Sequence, residues 1–232
     1  MRIKGILIAI LVVLSTLPFA IADEIVISET ETCVVYDEQT VTNCIPPQIR
    51  PNIDVVFVID STGSMEDEIR TVKTHLTKII KEVKSGQPTP YLRVGVVAYR
   101  DHGEEEREYL FKRFDLSKDI NKAMDFIWNI EARGGGDLPE AVVDGLDIAI
   151  NDMNWNDVHI LQNQQAVFQQ AYSTKKIIFL IGDAAPHGVG ANGDNHPQGC
   201  PHGYNYKDLI EQAQEKDITI YTVSGSGIDS IG

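Results

Sequence analysis

The stretch Ile53 to Ser64, IDVVFVIDSTGS, constrains this chain more than any other. Val55-Val56-Phe57-Val58-Ile59 is an unbroken apolar run rich in β-branched residues, the composition of a parallel strand buried on both faces. It breaks at Asp60-Ser61-Thr62-Gly63-Ser64, and an acidic helical pattern begins at once with Met65-Glu66-Asp67-Glu68-Ile69. Asp60, Thr62 and Ser64 therefore place three oxygen-bearing side chains on a tight turn at the carboxyl end of a strand. Open α/β sheets hold their ligands at such ends. Carboxylate and hydroxyl oxygens together suit a hard cation such as Mg2+.

The rest of the chain repeats the alternation. Ile69, Val72, Leu76, Ile79, Ile80 and Val83 carry the 3,4 spacing of a helix over 66–84. Leu92 to Tyr99 reads as a second buried strand, Tyr109 to Phe114 as an edge strand, and Asp119 to Ile130 as a helix. Pro139-Glu140 opens a helix to about Met153, since proline loses nothing in a first turn. The apolar residues of Asn154 to Tyr172 (Trp155, Val158, Leu161, Val167, Phe168) are spaced for its continuation. Lys176 to Gly182 is a strand, Ala184 to Tyr206 a loop, Lys207 to Lys216 a helix and Ile218 to Val223 the last strand. Strands alternating with helices predict a doubly wound, mostly parallel α/β sheet with helices on both faces. The chain stops at Gly232 shortly after a strand with no closing helix, so it reads as a fragment of a longer protein or an incomplete gene model.

The N-terminus reads as something other than domain. Arg2 and Lys4, the apolar run Ile6 to Leu17 and Ala20-Ile21-Ala22 form the pattern of a secretory signal peptide over 1–22, cleaved after Ala22; an uncleaved signal anchor is the rival reading, which the short apolar run disfavours. Export fits Cys33 and Cys44, which flank two short strand-like runs and pair naturally as a hairpin disulfide in an oxidising compartment. The hairpin and the proline-rich 46–51 make a second segment, 23–51, ahead of a domain over 52–232. Cys200 is left as a free thiol, an intermolecular partner, or the mate of a cysteine outside this chain. No Asn-x-Ser/Thr acceptor occurs, and a formal net charge of −14 opposes nucleic-acid binding, which needs clustered Lys and Arg.

Three strand ends carry acids, Asp60, Asp101 and Asp183, and a glycine-rich turn presents Asp137. Any one of them reads plainly as a helix cap or a solvated loop acid. Together they would repel one another unless a cation sat among them. At this point the sequence resembles the von Willebrand factor type A domain over about 53–232. That family's metal-ion-dependent adhesion site has the form Asp-x-Ser-x-Ser, with a Thr from a second loop and an Asp from a third. Asp60, Thr62 and Ser64 match the first loop, and Asp183, ending Ile178-Phe179-Leu180-Ile181-Gly182, matches the third. Gly134-Gly135-Gly136-Asp137 puts Asp137 where the adhesion domains place Thr. With Tyr99-Arg100-Asp101 and Asp183-Ala184-Ala185-Pro186-His187-Gly188, this is similar to a subgroup found in secreted microbial proteins and attached to alpha-kinases.

The resemblance implies a divalent cation, Mg2+ with Mn2+ or Ca2+ as alternatives, held by Asp60, Thr62, Ser64, Asp137 and Asp183. Asp101, Ser61 and Gly136 stand behind them. It implies a secreted or surface-displayed domain that binds a protein partner without chemistry of its own. The extra carboxylate of Asp137 would lessen the cation's pull on an acidic partner. A regulatory module of a larger kinase or protease is the competing reading, and a hydrolase using the metal itself a third.

Two patterns in the loop 184–206 carry less. Gly188-Val189-Gly190-Ala191-Asn192-Gly193 matches G-x-G-x-x-G, but Asp183 to His187 separate it from the strand and more loop follows, so a flexible loop is the plainer reading. His187, His196, Cys200 and His202 crowd the same loop beside Asp194. Zinc is chemically possible there, but His-x3-Cys-x-His is not a recurring zinc spacing, and an ordered surface loop explains it as well. No nucleophile–base pair or kinase signature is present.

Overall fold

A computed structural model describes residues 51–87, 89–103, 108–156, 159–160, 171–172 and 174–224. The signal peptide, the Cys33–Cys44 hairpin and the chain end expected above lie outside the described residues.

Five strands form one sheet: β1 (Asn52–Asp60), β2 (Tyr91–Tyr99), β3 (Phe111–Ser117), β6 (Thr174–Gly182) and β7 (Ile218–Ser224), in the order β3-β2-β1-β6-β7. β1 is central and runs parallel to both β2 and β6, and β6 runs parallel to β7. Only β3, on the edge, is antiparallel. The mostly parallel, doubly wound sheet expected from the alternation is what the chain forms.

The period-two pleat of β1 divides the core. Val55, Phe57 and Ile59 face α1 (Glu66–Lys84) and α2 (Ile120–Trp128), where Leu76, Ile79, Ile80 and Ile127 bury. Val56 and Val58 face the opposite layer, α3 (Val142–Asp147) and α4 (Tyr206–Glu215), through Val142, Val143, Leu146 and Leu209. Phe57 stacks on Phe179 at 5.7 Å, and Phe179 on Tyr221 at 5.6 Å, tying three parallel strands on one face. Phe57 and Phe179 are fully buried and contribute roughly 1.5–3 kcal/mol each, while Tyr221 is only partly buried. Such a buried sheet holds the strand ends rigidly, and the loops leave from its carboxyl edge.

Two expected elements differ. The helix predicted from Pro139 begins only at Val142, because Glu140 N–H donates to Ala185 O (2.9 Å) and Ala141 N–H to Arg100 O (3.1 Å), which holds 139–141 as loop between two strand ends. α3 then widens into a π-helical turn over Ile148–Asp152 and stops at Met153, whose backbone is extended. The continuation predicted over 154–172 is replaced at its described ends by a two-stranded antiparallel pair, β4 (His159–Ile160) with β5 (Ala171–Tyr172). Trp155 does not extend the helix; its indole N–H donates back to Ala149 O at 2.9 Å and the ring packs on the core. An apolar residue just past a helix end satisfies helical spacing and back-packing equally, so spacing alone could not separate them.

Among the described residues, no helix is long and apolar enough to cross a membrane.

Candidate metal centre

The turn after β1 is fixed by hydrogen bonds that its own side chains supply. Asp60 Oδ1 accepts from Thr62 N–H at 2.9 Å and from the Thr62 hydroxyl at 2.7 Å. The Thr62 and Ser64 hydroxyl oxygens are 3.1 Å apart, and Ser64 donates to Asp183 Oδ1 at 2.9 Å. Asp60, Thr62, Ser64 and Asp183 thus form one connected chain of oxygens across the ends of β1 and β6, two neighbouring strands. Ser61 faces the other way. Its hydroxyl donates to Tyr99 O (2.7 Å) and its N–H to the same carbonyl (2.8 Å), locking the turn to the end of β2.

The glycine-rich second loop packs directly on this turn. Gly63 N–H donates to Gly134 O at 2.7 Å, and a Cβ on Gly63 would lie only 2.7 Å from that same oxygen. Gly135, at φ +92°, passes over Thr62 and Glu140; a Cβ there would meet Glu140 Oε1 at 3.2 Å and Thr62 Cβ at 3.4 Å. A Cβ on Gly136 would meet nothing within 4 Å.

Glu140 is a buried acid beside this turn that the sequence did not single out. It is 2 % exposed and delivered inward by the loop that replaced the expected helix start. Its signal was weak: an acid after proline, which a first helical turn also welcomes.

The cluster is electrostatically compressed. Burial pushes Asp60 up to about 7, opposed by the Thr62 hydrogen bonds and reinforced by the charges of Asp183 and Asp101. Burial, with Asp60 and Asp101 nearby, pushes Glu140 up to about 10. Burial also raises Asp183. Asp60 Oδ2, Glu140 Oε2 and Asp101 Oδ2 are buried without a hydrogen-bond partner among the described residues. Unsatisfied buried acceptors are costly and rare, and carboxylate and hydroxyl oxygens are the donor chemistry that hard divalent cations take. The residues therefore fit such an ion.

The remaining predicted residues lie one step away. Asp101 is fully buried; its Oδ1 accepts from His102 N–H (2.7 Å) and lies 2.7 Å from His187 Nε2. His187 Nδ1 is in turn 2.8 Å from Asp194 Oδ1. Asp137 belongs with this second chain: its carboxylate accepts from Asn195 N–H at 2.8 Å and shares a 4.8 Å neighbourhood with His187 and Asp194. The G-x-G-x-x-G segment opens no helix, since α4 begins only at Tyr206.

A family model described as von Willebrand factor A domain matches residues 54–187. Alpha-protein kinase vwkA of Dictyostelium discoideum is 26% identical over 73% of this chain, which spans 24% of that protein. Von Willebrand factor A domain-containing protein 7 of Rattus norvegicus is 29% identical over 44% of this chain and 10% of its own length. Among solved structures, the pilus adhesin SpaC from Lactobacillus rhamnosus GG aligns at 14% identity with a TM-score of 0.48, over 76% of this chain and 25% of the adhesin. The chain thus covers a quarter or less of each of these proteins. The matched span contains β1 from Asp54 onward, its Asp-x-Thr-x-Ser turn, the Gly134–Gly136 loop and Asp183, and the chain belongs to the von Willebrand factor A domain family.

Proposed function

We propose that this is an exported protein-interaction domain whose binding face is organised by a divalent cation, Mg2+ or in its place Mn2+ or Ca2+. Asp60, Thr62, Ser64 and Asp183 hold the ion, with Glu140 as a further carboxylate. The observation that carries this reading is the pair of buried, unpartnered oxygens, Asp60 Oδ2 and Glu140 Oε2, beside a hydroxyl chain that ends on Asp183. When bound, the cation supplies positive charge that relieves the mutual repulsion of these carboxylates. The residues themselves orient the oxygens and exclude water through the Gly134–Gly135 lid over Thr62. Asp137 serves the site from behind, ordering the loop of His187 and Asp194.

The excess of acid sets the partner's chemistry. Asp60, Asp101, Asp183 and Glu140 outweigh one divalent ion, so an acidic group from a partner gains little here. A partner presenting neutral or basic groups is the better match. Export is supported by the leader-like pattern of residues 1–22.

A regulatory module within a larger enzyme is the second reading. It is favoured by the relative named as an alpha-protein kinase, of which this chain matches 24%.

Thermal melting of the chelator-treated chain with added Mg2+ tests the metal reading. At a hundredfold excess over Kd, the ion stabilises a one-site protein by about 2.7 kcal/mol. That gain is expected in the native chain and lost in Asp60→Ala and Thr62→Ala. Equal stabilisation of all three chains would sink it.

A further inference from the structure

A second cluster of ligating side chains lies on the other side of the β2 end, built from three separate segments. His102 follows β2, Asp144 sits in the first turn of α3, and Cys200 and His202 come from the long loop after β6. His102 Nε2 is 3.0 Å from Asp144 Oδ2, Cys200 Sγ is 3.2 Å from the same oxygen, and Cys200 Sγ is 4.0 Å from His102 Nε2. His202 Nδ1 lies 2.7 Å from Asp144 Oδ1. One ligating atom from each of the four residues falls within 4.8 Å of all the others. His102, Asp144 and Cys200 are buried, while half of the His202 side chain is exposed.

We propose that His102, Asp144, Cys200 and His202 form a zinc site distinct from the oxygen cluster at Asp60. The spacing carries the argument. Zinc bonds of about 2.0–2.1 Å to nitrogen or oxygen and 2.3 Å to sulfur, arranged as a tetrahedron, separate the ligand atoms by roughly 3.3–3.6 Å. The triangle of His102, Asp144 and Cys200 brackets that range, and His202 closes the fourth corner with a small movement of an exposed ring. The donor types agree. Two imidazoles, a thiolate and a carboxylate suit Zn2+ and disfavour Mg2+ or Ca2+, which take oxygen. The set also explains why a cysteine and a histidine two residues apart should be drawn in against a buried aspartate on a helix. A structural zinc there pins the 183–205 loop to β2 and α3, and the same loop begins with Asp183. The inference stands independently of the Mg2+ reading.

The test uses the full chain, kept reduced and stripped of metal, then loaded with Zn2+ or Co2+ in the presence of excess Mg2+. One Zn2+ per chain should remain after gel filtration. Co2+ should give the intense visible bands of tetrahedral coordination and a thiolate charge-transfer band in the near ultraviolet. Cys200→Ser, nearly the same size, should abolish the charge-transfer band. His202→Ala, at a half-exposed position, should weaken Zn2+ by more than the roughly 10–100-fold that loss of an outer partner causes, with an unchanged far-ultraviolet circular dichroism spectrum. Asp60→Ala should leave both spectra unchanged. Substoichiometric zinc in the native chain, an octahedral cobalt spectrum, or full zinc retention in the Cys200→Ser, His202→Ala double variant would each overturn the proposal.

Discussion

Two clusters of ligating residues sit on the carboxyl edge of one sheet, a short distance apart, and they are built in opposite ways. The cluster at Asp60 is all oxygen and mostly local: three of its members lie within five residues on the turn that β1 forces. Burial raises Asp60 and Glu140, with the neighbouring carboxylates adding to it, and three buried carboxylate oxygens have no hydrogen-bond partner among the described residues. The cluster at Asp144 mixes nitrogen, sulfur and oxygen and is assembled from residues 98 positions apart at the extremes of a direct contact. It is internally satisfied: two imidazoles and a thiol surround one carboxylate, and Asp144 is held below its ordinary range by their hydrogen bonds despite burial. One cluster leaves buried carboxylate oxygens without partners among the described residues. The other is a hydrogen-bonded network whose spacing suits zinc.

The comparison can be broken most forcefully at Gly63. A Cβ there would lie 2.7 Å from the Gly134 carbonyl, backbone against backbone, and neither side is free to rotate away. Gly63→Ala should destabilise the domain by roughly 1–3 kcal/mol and abolish the Mg2+-dependent rise in melting temperature. Zinc uptake should survive. Loss of both metal responses together would mean that the two clusters are not independent.

A smaller effect isolates Glu140. Glu140→Gln keeps the shape and removes one buried carboxyl, so the metal-free variant should be more stable than the native chain at pH 8 by about 1 kcal/mol. Its Mg2+ response should weaken, because a carboxylate donor has gone. Unchanged Mg2+ affinity would remove Glu140 from the site.

The finest contrast is in pH. Asp60 and Glu140 bind protons more tightly folded than unfolded, from ordinary values of 3.8 and 4.5 to about 7 and about 10. Their contribution favours the folded state at low pH and is lost as pH rises through the folded values. Metal-free stability should therefore fall from pH 5 to 7 through both groups, and from pH 7 to 9 through Glu140 alone. Saturating Mg2+ should flatten the slope, and Glu140→Gln should erase its upper part. Melting curves across that range check the sign: a metal-free chain that gains stability from pH 5 to 8 contradicts it.

The two clusters also differ in how far they could be read from the sequence. Asp60, Thr62, Ser64 and Asp183 were legible because a buried parallel strand can end only at the sheet's carboxyl edge, which fixes where the next side chains point. Asp137 and Glu140 were not so constrained. Which acid of Gly-Gly-Gly-Asp-Leu-Pro-Glu turns inward depends on positive φ at Gly134 and Gly135 and on bonds from Glu140 and Ala141 to Ala185 and Arg100, all tertiary. The cluster at Asp144 was hidden for a simpler reason. Only Cys200 and His202 are close in sequence; His102 lies just past a strand and Asp144 within a helix, 98 and 56 positions from Cys200. The helical spacing at Trp155 misled because back-packing on Ala149 produces the same apolar pattern.

The most direct test loads the reduced chain with Mn2+ and Zn2+ together and measures both metals per chain in the native protein, Asp60→Ala and Cys200→Ser. One of each is expected in the native chain, with manganese alone lost in Asp60→Ala and zinc alone lost in Cys200→Ser. Manganese retained at the native level in Asp60→Ala, while that variant still holds zinc and is therefore folded, would contradict this assignment.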